Sequence, residues 1–110
     1  MERYLLTVES NSSDPSREKD FNDWYDTVHL PDILEIPGFV RAARYENTSA
    51  GEGQGKFLAV YEIECEDLGQ ALASFDETVN RKAKEGRMSD LLVAVGGGLY
   101  RQITAPVEGK

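Results

Sequence analysis

Apolar positions along the chain fall into short runs whose spacing switches between strand-like and helix-like periods. Tyr4 to Glu9 is short and apolar and predicts a first strand. Asn11-Ser12-Ser13-Asp14-Pro15 then supplies a helix start, with Asp14 as an N-cap that accepts an orphan backbone N–H and Pro15 in the first turn. Phe21, Trp24, Tyr25 and Val28 recur at i, i+3, i+4 and i+7, which is one apolar stripe of an α-helix. Leu30 precedes Pro31, and a residue before proline is biased away from helical geometry, so this helix is expected to end near His29. Pro31 can open a short helical turn through Asp32 to Leu34, and Pro37-Gly38 makes the next break.

Phe39 to Glu46 and Lys56 to Glu64 predict two strands joined by a polar, Gly-rich hairpin from Asn47 to Gly55. In the second, Phe57, Ala59, Tyr61 and Ile63 occupy one face, while Leu58 and Val60 occupy the other. A strand apolar on both faces must be covered on both sides. One helical layer covers one face of a small sheet, so the other is expected to pack on a second subunit. Leu68, Ala71, Leu72, Phe75 and Val79 predict a second amphipathic helix ending before Gly86. Leu99 to Thr104 closes the chain as a fourth strand, with Gly96-Gly97-Gly98 read as a flexible or tightly turned connection into it. The order β-α-β-β-α-β is that of a ferredoxin-like split βαβ. Residues 1–110 form a single α+β domain, with a four-stranded antiparallel sheet and two helices on one face.

Composition narrows the partners. The net charge is −8, from 20 acidic against 12 basic residues, and no basic patch is visible. Nucleic acids and anionic membrane surfaces both call for one, so neither is an expected partner. No apolar run approaches the ~20 residues of a membrane span. Cys65 stands alone among Glu64, Glu66 and Asp67, where neighbouring negative charge disfavours a thiolate. The N-terminus lacks the apolar region of a signal peptide, and a cytoplasmic location is expected.

The candidate chemistry gathers in Phe21-Asn22-Asp23-Trp24-Tyr25-Asp26-Thr27-Val28-His29, which holds the only His and the only Trp. His29 follows Tyr25 by four residues and Asp26 by three, so on a helix both can touch it. A Tyr–His pair can bind a hydroxyl or carbonyl and shuttle a proton. Asp26 or Asp32 can orient the imidazole, and Asn22, on the same side, can donate to a developing oxyanion. The competing account makes His29 a helix C-terminal residue that caps the last carbonyls. Trp24 and Phe21 fall on the apolar stripe, a place for core residues before stacking platforms. Arg41 is read on the face of Phe39, together with Ala43 and Tyr45, where it can clamp a substrate carboxylate or pair with a structural acid. Arg44 and Arg101 carry no stronger signal. Gly96-Gly97-Gly98 lacks the Lys and Ser/Thr of a phosphate loop, and no His pair or ligand spacing recommends a metal site.

The run from Asp14-Pro15 through Phe21-Asn22-Asp23-Trp24-Tyr25 and His29-Leu30-Pro31 to Pro37-Gly38-Phe39 resembles the EthD-like group of the dimeric α+β barrel superfamily. That resemblance implies a homodimer in which two four-stranded sheets close a barrel, with a small-molecule pocket between helices and sheet in each subunit. Similar proteins include methylmuconolactone methylisomerase, cofactor-free quinone-forming monooxygenases and polyketide cyclases, which act on aromatic or lactone-like compounds without a prosthetic group. The expectation is therefore a cofactor-independent isomerase, cyclase, lyase or monooxygenase acting on a small aromatic, polyketide-like or lactone metabolite. His29, Tyr25 and Asn22 would carry the chemistry, with Trp24, Asp26 and Arg41 against the substrate. The alternative is a non-catalytic homodimer that binds a hydrophobic metabolite or serves a partner enzyme.

Overall fold

The computed structural model describes residues 1–110. Strand β1 runs Glu2–Ser12, β2 Phe39–Glu46, β3 Phe57–Cys65 and β4 Leu92–Arg101. They form one antiparallel sheet in the order β2-β3-β1-β4. Two helical stretches cover one face. The first starts with a 3-10 turn at Pro15–Arg17 and continues as α1 (Glu18–Trp24), a π-helical turn (Tyr25–His29) and α2 (Leu30–Ile33). The second is α3, Leu68–Lys84. Asp14 caps the first stretch as expected, its carboxylate accepting from Ser16 N at 3.0 Å with Pro15 in the first turn. Asp67 does the same for α3, accepting from Gln70 N at 3.0 Å, a contribution of about 1 kcal/mol.

The period-2 pattern of β3 decides where the core lies. Phe57, Ala59, Tyr61 and Ile63 are buried under the helices, whereas Leu58 and Val60 on the other face are only half-buried. Phe21, Tyr25 and Ile33 from the first helical stretch and Ala71 from α3 close over them. On the helix-free face Leu5, Val40, Tyr45 and Tyr100 remain exposed. At the Pro37-Gly38 break, Gly38 has φ +92°, and a Cβ there would stand 2.8 Å from the Glu64 carbonyl oxygen. Only glycine fits this turn.

Three expectations are corrected. The first helix does not end near His29. Leu30 is helical, and its N–H reaches back five residues to the Tyr25 carbonyl. The wider π turn accommodates Pro31, which has no N–H to give and whose ring would crowd the Thr27 carbonyl of a regular helix. Gly96-Gly97-Gly98 is not a connection but the middle of β4, paired with Glu9, Val8 and Thr7 of β1. A Cβ on Gly97 would lie 2.3 Å from the Thr7 carbonyl oxygen, so the glycines let two backbones approach closely. Finally, the β2–β3 register shifts between Phe39 and Arg41. This bulge reverses the facing of the rest of β2: Arg41 leaves the face of Phe39, and Arg44 turns towards the helices.

Candidate functional site

The π turn and the β2 bulge bring their residues to one place. On a regular α-helix residues five apart point roughly 140° from each other. Widening the helix after Trp24 brings that residue and His29 together: their rings stack with centroids 4.8 Å apart and an interplanar angle of 23°. Tyr25 meets the imidazole edge-on at 4.9 Å. Trp24 is fixed from its other end, its indole N–H donating to the Arg87 carbonyl at 2.8 Å. It is thus a half-buried structural ring that also forms one wall of the histidine's seat.

His29 is only 5% exposed. Burial lowers its pKa from 6.5 to about 4, opposed by the Asp32 carboxylate and assisted by the Arg44 guanidinium. At neutral pH it is an uncharged base. It takes part in none of the side-chain hydrogen bonds, so it neither caps carbonyls nor rests on a carboxylate. Asp32 faces elsewhere: Arg87 grips it at 2.7 and 2.9 Å, and Lys82 approaches to 3.9 Å. The Arg87 hydrogen bond holds the Asp32 carboxyl below its ordinary value.

Arg44 is the residue that sequence reasoning passed over. It donates to Asp26 Oδ1 at 2.8 Å and to Asn22 Oδ1 at 2.9 Å, one helical turn apart, and so pins β2 to the first helix. Its guanidinium carbon sits 4.2 Å from the centre of the Tyr25 ring, a cation–π contact. The Tyr25 phenol is raised by burial, and Tyr61, fully buried behind it, is pushed far higher for the same reason. The Tyr61 hydroxyl and the Arg44 Nε are both buried without a hydrogen-bond partner. Five residues from Phe39, Arg44 would fall on the opposite face of an unbroken strand, and the bulge between Phe39 and Arg41 inverts that parity.

The structure thus gathers Tyr25, His29, Trp24, Asn22 and Asp26, the last two through Arg44. Arg41 lies apart on the helix-free face, paired with Glu62 through both Nε and Nη2, the latter at 2.9 Å. That places it away from Tyr25 and His29 and corrects the expectation that it lines their site. Asn22, Asp26, Arg44, Tyr45, Glu46 and Phe57 line an open hollow of about 250 Å³ beside the site. No group of three or more His, Cys, Asp or Glu side chains is arranged to hold a metal ion. No helix is long and apolar enough to cross a membrane.

No family model matches the sequence, and no curated protein does. Solved structures do. HapK from Hahella chejuensis superposes with a TM-score of 0.67 at 12% identity, covering 97% of this chain and 99% of its own. SnoaB, a cofactor-independent oxygenase from Streptomyces nogalater, gives 0.62 at 14% identity, with 98% and 100% covered. An ethyl tert-butyl ether (EthD) family protein from Bacillus halodurans gives 0.59 at 18% identity, with 94% and 100% covered. These structures share the ferredoxin-like α+β fold of this chain.

Proposed function

We propose that this protein is a cofactor-independent enzyme acting on a small aromatic, polyketide-like or lactone metabolite by proton transfer at His29. One observation carries the reading: the imidazole is buried between Trp24 and Tyr25 and kept uncharged at neutral pH. The imidazole nitrogens are not among the buried atoms left without a partner, and no side-chain hydrogen bond occupies them, so they stay free to meet a substrate. Tyr25 supplies a neutral phenol beside it, suited to polarise a carbonyl, and Asn22 stands one turn earlier in the helix. The fold shared with a cofactor-independent oxygenase supports this class of chemistry without choosing among isomerisation, cyclisation and oxygenation.

The working unit in this proposal is a homodimer. Leu5, Val40, Tyr45 and Tyr100 leave the helix-free sheet face apolar and exposed, and such a patch marks an interface. Light scattering should give twice the 12.2 kDa chain mass; the chain mass itself would refute the dimer.

A non-catalytic binding homodimer is favoured by one observation: the hollow beside the site is walled by Arg44, Asn22 and Asp26, and His29 is not among its lining residues. Deuterium exchange separates the two readings without knowledge of the substrate. In D2O a general base at His29 should remove the acidic C–H of 2-tetralone and return a deuteron. Exchange at least ten times faster with the unsubstituted protein than with His29→Asn supports the enzyme. Equal rates, with the ligand still bound, leave the binder.

A further inference from the structure

We infer that the site selects an aromatic ligand bearing an anionic oxygen, a carboxylate or an ionised hydroxyl, and that Arg44 is the residue that selects it. The inference rests on the reading of this region as a small-molecule site and adds the charge of what enters it.

The first observation is an incomplete set of bonds. A guanidinium presents its N–H donors in a planar fork matched to two oxygens. Arg44 uses Nη1 on Asp26 and Nη2 on Asn22, yet its Nε is buried with no acceptor. A buried donor on a cation is costly to leave empty, and such groups call for a ligand or an ordered water. Second, Nε shares one edge of the fork with Nη2, the edge by which Arg41 and Arg87 each grip a carboxylate, and the acceptor on Nη2 of Arg44 is the neutral amide of half-buried Asn22. An incoming carboxylate can bridge Nε and Nη2 in place of that amide, leaving Asp26 on Nη1 as the fixed anchor.

Third, the surroundings suit a flat ring. Tyr25, Phe57 and Phe21 stand 4.2, 5.4 and 5.7 Å from the guanidinium carbon. Aromatic walls with a cation between them offer stacking and charge together. The hollow, at about 250 Å³, is below the ~300–1,000 Å³ of pockets for drug-sized ligands, so it suits one or two fused rings. Fourth, Arg44 is the only cation among the lining residues, which also include Asp26 and Glu46. With two carboxylates against this one guanidinium, an anion is held there only by direct contact with Arg44 and not by the general field of the hollow.

The test compares 2-naphthoate with its neutral twin methyl 2-naphthoate, followed by NMR on the His29 ring and on the Arg44 Nε–H. The acid should bind the unsubstituted protein at least tenfold more tightly than the ester and should shift the Arg44 Nε–H. Arg44→Gln should abolish that preference, and Arg44→Lys should restore part of it. Equal binding of acid and ester, or a preference that survives in Arg44→Gln, overturns the inference while leaving a small-molecule site standing. Should Arg44→Gln fail to fold, the Nε–H of the unsubstituted protein decides, and bound acid without a shift there overturns the assignment. If neither compound moves His29 or Arg44, the reading of this region as a small-molecule site falls with it.

Discussion

His29→Gln should flatten the acid side of the stability profile, and the structure gives the size of the effect. The folded pKa is about 4 against the ordinary 6.5. A folded value below the unfolded one means that the unfolded chain binds the proton more readily between those two pH values. Stability linked to His29 is therefore fully present above pH ~6.5 and is lost as pH falls towards ~4. Each unit of separation is worth 1.36 kcal/mol, so the whole loss is about 3 kcal/mol, with a slope approaching ~1.4 kcal/mol per pH unit midway. Other groups titrate in the same range, Asp32 among them at the acid end, so the measurement is a difference. Urea unfolding free energies of the unsubstituted protein and His29→Gln are compared from pH 7.5 to pH 4. The gap between the two curves should change by about 3 kcal/mol in favour of the variant as pH falls. NMR of the single imidazole supplies the independent check, with a midpoint near 4 in the folded protein. A midpoint at 6.5 with parallel stability curves would refute the burial argument, and with it the reason to treat His29 as a free neutral base.

Two substitutions test the frame around the site. Asp32→Asn removes the buried carboxylate that Arg87 grips with two hydrogen bonds and leaves the buried Lys82 with Glu35, at 3.1 Å, as its main acceptor. A fully buried pair would cost ~3–5 kcal/mol; because the Arg87 side chain is 44% exposed, the expected loss in chemical denaturation is nearer ~2 kcal/mol, and less than ~0.5 would show the pair to be ornamental. Gly97→Ala drives a Cβ into the Thr7 carbonyl and should cost ~2 kcal/mol or more by overpacking. Gly51→Ala, whose Cβ would meet only Gln54 Oε1 at 3.6 Å, is the matched control. Equal melting temperatures for these two variants would mean that β1 and β4 are not held as closely as described.

Where the sequence could be read, local pattern and global fold agree. The alternation Phe57, Ala59, Tyr61, Ile63 needed no tertiary information to mark the buried face, and Asp14-Pro15 marked its helix start by side-chain chemistry alone. The Tyr25–His29 contact followed from helical spacing and is present. The misreadings at the site share one physical cause, a single-residue change of phase. The π turn inserts one between Trp24 and Leu30, which carries the helix through Pro31 and lets Trp24 stack on His29. The β2 bulge inserts the other after Phe39, which exchanges the facing of Arg41 and Arg44. Neither is encoded by residue type at the point of insertion, because propensity and periodicity both assume a constant phase. Both nevertheless serve the same few cubic ångströms, one turning an imidazole onto an indole and the other turning a guanidinium onto a phenol. π turns and β-bulges gather at functional sites, where regular geometry is given up to aim a side chain. Two independent phase changes converge on Tyr25, setting the imidazole edge-on to its ring and the guanidinium over it, and the proposed chemistry rests on that juxtaposition.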